Sequence, residues 1–202
     1  MTSLDSRRTR YTTVAITLHW LIAALIVTIA TLGLVMVNVK LAPIWQFRLY
    51  QWHKSIGITI LLLAVVRLGW RLAYPAPPLP AEMPRRERQA ASTAHWVLYG
   101  LMLGLPLVGW ALVSASPYNI PTVLYGVIPW PHLPVLPGLS NKAAIEHVLK
   151  GVHAYGAFVL IGLIGLHAAA ALRHHLVIRD DVLRRMIPGL PQPGGPQPKR
   201  SR

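Results

Sequence analysis

Four histidines give this sequence its capacity for chemistry, because each lies within an apolar segment. His153 and His167 interrupt the run GVHAYGAFVLIGLIGLHAAAALRHH, residues 151–175, fourteen positions apart. His19 and His53 lie in two other apolar segments. An imidazole can bind a metal or move a proton, and a titratable side chain inside a membrane is costly and usually functional.

Composition places these histidines in a membrane protein. Of 202 residues, 53% are hydrophobic and 13% are charged, yet the net charge is +14. The cations cluster at the ends of apolar segments rather than over a soluble surface, which excludes a nucleic-acid-binding domain. The chain has no cysteine. This excludes disulfides, thiolate metal sites, iron–sulfur clusters and covalently attached c-type haem.

The apolar segments predict four membrane-spanning helices, since about 20 helical residues cross the hydrocarbon core. The fold class is therefore all-α, a four-helix transmembrane bundle, with Pro106 bending the third helix. The predicted spans are Val14–Val37, Trp52–Ala73, His95–Ser116 and His147–His174. We predict three regions: an N-terminus (1–13), a membrane domain (14–187) and a disordered Pro/Gly-rich basic tail (188–202). The apolar loop 117–146 is expected to lie on the membrane face.

The distribution of basic residues predicts that both termini lie in the cytoplasm. An even number of spans puts the termini on one side of the membrane, and fifteen of the twenty Lys and Arg flank that side. Cytoplasmic segments carry the excess of basic residues. The first span is too long to be a cleaved signal peptide.

Helix geometry sorts the four histidines into two pairs by depth. Fourteen helical residues rise by about 21 Å and return to nearly the same face, so His153 and His167 lie near opposite membrane surfaces. His19, in the first span, shares the cytoplasmic depth of His167. His53, in the second span, shares the outer depth of His153. Each depth thus carries two imidazoles on different helices.

Paired imidazoles across a helical bundle are typical axial ligands of b-type haem. A zinc site would want a further ligand or a carboxylate, and no predicted span contains Asp or Glu. A lone intramembrane His would more simply make an interhelical hydrogen bond. Alternatives stay open: His95 rivals His19 as the partner of His167, and Met36 could replace an outer imidazole. The remaining histidines are expected at interfaces or in the outer loop, namely His132, His147, His174 and His175.

Two cations have candidate roles beside these pairs. Arg67 lies fourteen residues after His53 with no acidic residue in the membrane to pair with, so a haem propionate is a candidate partner. It could equally extend to the membrane interface. Lys54 could pair with an outer propionate or present positive charge to an anionic substrate.

The sequence resembles the bacterial cytochrome b561 family from Arg10 to Pro188. The resemblance rests on LHW (18–20), WHKSIG (52–57), VVRLGWRL (65–72), HWVLYGLMLGLPLVGW (95–110) and GLHAAAALRHH (165–175). It implies a four-helix bundle with two b haems. Its implied iron ligands are His19 and His167 for the cytoplasmic-side haem and His53 and His153 for the periplasmic-side haem. His95 matches a family position that is not an axial ligand.

The resemblance also implies a function, electron transfer across the membrane. Superoxide, a small anion, would be oxidised at the periplasmic face, steered by cations there, and ubiquinone in the membrane would be reduced. A second hypothesis is a haem-carrying anchor that exchanges electrons between the quinone pool and a periplasmic dehydrogenase subunit docked on the outer loop. A third, of another class, is a haem-free transporter or proton relay.

Overall fold

The computed structural model describes residues 10–80 and 83–191 and places four long helices in them. Most of the predicted tail lies outside the described residues. So do five of the basic residues on which the predicted orientation rests, namely Arg7, Arg8, Lys199, Arg200 and Arg202. The elements in chain order are α1 (Thr13–Asn38), α2 (Pro43–Ala73), α3 (Arg85–Ser114), β1 (Thr122–Leu124), β2 (Ile128–Trp130) and α4 (Lys142–Arg173).

All four helices are long and apolar enough to cross a membrane, which confirms the predicted architecture. Three of them begin five or more residues earlier than predicted. α2 begins at Pro43, α3 at Arg85, directly after Pro84, and α4 at Lys142. A proline suits the start of a helix because its missing N–H would have no intrahelical partner there. The first turns of these helices contain too many polar residues or prolines to extend the apolar pattern. Hydropathy therefore could not locate where the helices begin.

The helices pack in sequence order, α1 on α2, α2 on α3 and α3 on α4. They meet in a buried cluster near the middle of the bundle, formed by Ile22, Ile26, Ile56, Ile60, Leu105 and Leu160. Leu160 is the one buried residue among those of α4. It lies seven residues from His153 and seven from His167. α4 therefore enters the apolar core halfway between its two imidazoles.

The two ends of the bundle differ in how they are closed. At one end, here called the termini end, α4 continues as a π-helical turn, His174–Ile178. Beyond it, the Trp20 indole N–H of α1 donates to the Met186 carbonyl at 2.9 Å. At the other end, the hairpin end, β1 and β2 pair antiparallel. The hairpin is a small β element within the predicted all-α fold.

Helix α3 stays continuous through Pro106, which lies inside it. The adjacent residue, Leu105, packs against α4 where Gly156 has no side chain. A Cβ at Gly156 would lie 2.5 Å from Leu105 Cδ2. This close approach of α3 and α4 therefore requires glycine.

We expect Gly156→Val to lower the thermal stability of the detergent-purified protein, because overpacking a tight contact costs about 1–3 kcal/mol. Gly162→Val is the matched control on α4, since a Cβ there meets no other atom within 4 Å. Loss of the helical circular dichroism signal on heating is the measurement. Equal melting of the two variants would contradict the proposed close contact.

Candidate functional site

At the hairpin end, the structure brings His53 of α2 against His153 of α4. Their ring centroids are 6.1 Å apart and the ring planes are inclined by 71°. His153 Nδ1 lies 3.1 Å from the carbonyl oxygen of Leu105. A ring N–H donated to a carbonyl fixes the tautomer, so the Nε2 lone pair of His153 is left free to bind a metal.

Glycines on α1 and α3 make room for these two rings. A Cβ at Gly109 would lie 3.1 Å from Cε1 and 3.3 Å from Nδ1 of His153. A Cβ at Gly33 would lie 3.4 Å from Cε1 of His53. His53 Nδ1 is buried without a hydrogen bond of good geometry. The Ile29 backbone of α1 also faces the His53 ring.

At the termini end, three imidazoles meet rather than two. His19 of α1 and His167 of α4 have ring centroids 6.3 Å apart, inclined by 72°. His95 of α3 is closer to His167, at 5.4 Å. The structure therefore brings together both predicted pairs and places the rival His95 beside the second one.

The distance between two ring centroids shows whether a metal ion fits between the two imidazoles. Two imidazoles on opposite sides of one metal, each about 2.1 Å from it, place their centroids about 6.4 Å apart. The His53–His153 and His19–His167 pairs fit this spacing at 6.1 and 6.3 Å. The His95–His167 pair, at 5.4 Å, is about 1 Å too close. The geometry favours His19 over His95 as the partner of His167.

The position of α4 also fits two cofactor sites rather than a continuous core. Its close backbone packing is with α3, while His167 and His153 face residues of α1 and α2. Leu160 is the residue that reaches the buried core, midway between the two imidazoles. α4 therefore contributes its one buried residue to the core between two imidazoles that contact other helices.

A zinc centre does not fit the described residues. Between residues 10 and 80 and between 83 and 191, no group of three or more His, Asp or Glu side chains is arranged to hold a metal ion. The three imidazoles at the termini end thus do not form a three-ligand site. The structure presents instead two pairs of imidazoles, and two imidazoles are a donor set suited to one haem iron.

Arg67 supplies positive charge next to the termini-end imidazoles. Its Nη1 donates to the Ala15 carbonyl at 2.7 Å, and the Tyr99 hydroxyl lies beside it. No carboxylate among the described residues forms an ion pair with it. Together with Arg71 it lines a small cleft that also includes Tyr11 and Trp70. An anionic group such as a propionate is the partner that this guanidinium lacks.

Lys54 takes a position different from that of Arg67. Its Nζ donates to the Pro121 carbonyl in the outer loop at 3.1 Å, beside the hairpin. Its ammonium is thus shared with the loop that follows α3. Whether it also faces a propionate stays a prediction.

The two histidines after α4 differ in their partners. His174 Nδ1 pairs with the Asp180 carboxylate after the π-helical turn. His175 Nδ1, in the same turn, is buried without a hydrogen-bond partner among the described residues.

Sequence reasoning missed the groups that orient the histidines. Leu105 acts through its carbonyl and Gly33 and Gly109 through a missing side chain. Leu105 and Gly109, and also Tyr99, which is 6% exposed beside Arg67, lie in the segment 95–110 that carries the resemblance, but their residue types do not indicate these contacts. One signal in the sequence could have located these contacts. Gly33 and Gly109 lie on neighbouring spans at the depth of His53 and His153.

Comparison with known proteins decides the family. A family model described as prokaryotic cytochrome b561 matches residues 10–189. This chain belongs to the prokaryotic cytochrome b561 family.

Curated members of the b561 family align with nearly the whole chain. Cytochrome b561 homolog 2 of Escherichia coli (strain K12) is 31% identical over 179 residues, which are 88% of this chain and 91% of that protein. The probable superoxide oxidase CybB of Yersinia pestis is 33% identical over 183 residues, 89% of this chain and 96% of that protein. Cytochrome b562 of Cereibacter sphaeroides is 29% identical over 185 residues, which are 88% of this chain and 94% of that protein.

Membership makes this b561 protein a membrane oxidoreductase of electron transport that binds b-type haem. The predicted family is confirmed. The haem-free transporter or proton relay considered from sequence is therefore set aside. The two-pair donor set described above is compatible with the haem that the family binds.

We expect Gly109→Val to reduce the b-haem absorbance per chain, because the added carbons would displace the His153 ring. Gly104→Val is the control on the same helix, since a Cβ there meets no other atom within 4 Å. The measurement is the reduced-minus-oxidised visible spectrum of the purified protein. Unchanged absorbance in Gly109→Val would show that the His153 ring position does not matter for haem binding.

Proposed function

We propose that this protein holds two b haems and passes electrons across the bacterial inner membrane. His53 and His153 would bind the iron of one haem, and His19 and His167 that of the other. The observation that supports this is the pair of imidazole spacings, 6.1 and 6.3 Å, which share α4 and lie on either side of Leu160. A b haem held by two imidazoles would supply one-electron redox chemistry and would have no iron position left for oxygen.

The protein's own groups would orient and surround these ligands. The Leu105 carbonyl holds the Nδ1–H of His153 and thereby aims Nε2 across the helix interface. Arg67 and Arg71 would bind propionate at the termini end. The buried Ile22, Ile26 and their neighbours separate the two imidazole pairs with apolar side chains, which exclude water from the middle of the bundle.

The proposed orientation places the termini end in the cytoplasm. Among the described residues, the basic residues near this end include Arg71, Arg85, Arg86, Arg88, Arg173, Arg179, Arg184 and Arg185. Their excess over the hairpin end agrees with the positive-inside rule. His53 and His153 would then lie on the periplasmic side.

Superoxide is the proposed electron donor and ubiquinone the proposed acceptor. A relative that is 33% identical to this chain is named a probable superoxide oxidase. At the hairpin end, Arg48, Lys54, Lys142 and Lys150 offer positive charge that would attract a small anion to the periplasmic surface. A lipid-soluble acceptor suits a protein whose helices are exposed to the bilayer.

We expect His153→Ala and His167→Ala each to remove one haem and leave the other, because each deletes one ligand of a different pair. His95→Ala should retain both haems, since its spacing to His167 does not admit a metal. Haem per chain, with the visible spectrum, is the measurement. Retention of both haems in either ligand variant would exclude the assignment.

Electron transfer itself is testable in phospholipid vesicles containing ubiquinone. Superoxide generated outside vesicles with the hairpin end outward should reduce the haem within seconds and form ubiquinol. His153→Ala should abolish this reduction while the termini-end haem remains chemically reducible. Failure of superoxide to reduce the intact, haem-loaded protein would exclude this donor and favour a dehydrogenase partner.

A further inference from the structure

The hairpin between α3 and α4 descends along α2 instead of projecting from the end of the bundle. Its turn residue Tyr125 places its hydroxyl 2.6 Å from the hydroxyl of Thr59. Thr59 lies six residues further into α2 than His53, a rise of about 9 Å. The hairpin tip thus reaches past the level of the His53 ligand.

The depth of Thr59 can be set against the thickness of a bilayer. If the hydrocarbon core begins near Trp70 of α2, about 30 Å of helix ends near Tyr50. Thr59 then lies about 13 Å inside the core from the hairpin end. A chain segment that contacts it must lie within the membrane.

Helix α2 carries a polar stripe that fits this segment. Gln51, Ser55 and Thr59 are spaced by four residues, so their side chains lie on one face. Ser55 is 0% exposed, and its Oγ accepts the Tyr125 backbone N–H at 2.9 Å. Gln51 Oε1 accepts the Val123 N–H at 3.4 Å, and Gln51 Nε2 donates to the Pro121 carbonyl at 2.9 Å.

These contacts supply hydrogen-bond partners both to the hairpin backbone and to the polar side chains of α2. Non-helical backbone is tolerated at membrane depth only where its polar groups are satisfied by protein. A stripe of hydroxyl and amide groups on a helix is likewise costly when it faces lipid. The base of the hairpin is also held to α3, where the Trp110 indole N–H donates to Pro131 and Ser114 Oγ accepts the Leu133 N–H.

The opposite side of the hairpin is apolar and exposed. Val127 is 77% exposed, Ile128 56% and Tyr125 44%. From residue 117 to residue 141 the sequence contains no Asp, Glu, Lys or Arg. A loop that met water or a polar protein surface would be expected to carry charge.

We infer that the hairpin, residues 122–130, is a re-entrant element embedded in the leaflet at the hairpin end. Gln51 and Ser55 of α2 accept the backbone N–H groups of Val123 and Tyr125, and those of Gly126 and Val127 donate within the turn. On the other side, Tyr125, Val127 and Ile128 contact the acyl chains of phospholipids. This inference does not depend on the electron donor or on the number of haems. It assigns the apolar loop to lipid rather than to a docked periplasmic subunit.

The absence of cysteine allows a direct test with single labels. Val127→Cys would carry a nitroxide in the haem-loaded full-length protein in phospholipid vesicles. Leu62→Cys, 52% exposed on α2, is the lipid reference, and Lys40→Cys, exposed in the α1–α2 connection, is the water reference. Electron paramagnetic resonance would compare the collision of each label with oxygen, which concentrates in lipid, and with a water-soluble nickel chelate.

We expect the label at position 127 to collide severalfold more with oxygen than with the nickel chelate, as the label at position 62 should. The label at position 40 should show the opposite preference. Ile128→Cys gives a second label should Val127→Cys fail to fold, and an unchanged haem spectrum verifies each variant. Nickel access at 127 or 128 equal to that at 40 would overturn the inference and favour a docking surface for another protein. The haem spectrum, read on the same samples, separates this outcome from any failure of the electron-transfer proposal.

Discussion

A lipid bilayer offers no hydrogen-bond partner to the polar groups inside it, and this constraint explains most of the structure. The helices satisfy their own backbone. Each remaining polar group must find a partner in the protein or in a cofactor. His153 finds the Leu105 carbonyl, the hairpin finds the polar stripe of α2, and Arg67 finds a carbonyl and a phenol but no carboxylate. Arg67 thus lacks an anionic partner among the described residues, and it stays a candidate for contact with a haem propionate.

The helices and the histidine pairs were predictable because both follow from fixed helix geometry. An apolar run of sufficient length must be helical in a membrane, and a spacing of fourteen residues fixes both depth and face. The early starts of α2 and α3 were not predictable from hydropathy, because prolines and polar turns determine them.

The hairpin escaped prediction because its strands are three residues long and β2 contains a proline. Its position depends on side chains of α2 some seventy residues earlier, which no local pattern reveals. The orientation of the His153 ring likewise depends on a backbone carbonyl of another helix. The rivalry between His95 and His19 could be judged only from distances, since both share the depth of His167.

Helix α4 gives one imidazole to each pair, and this arrangement couples the assembly of the two sites. Fixing either pair sets the position and rotation of a single rigid rod, and so aligns the ligand fourteen residues away. If each pair binds one haem, the ordering entropy of α4 would be lost once rather than twice, and filling of the second site would be more favourable than filling of the first. Cofactor incorporation would then be cooperative, with the buried Leu160 midway between the two sites.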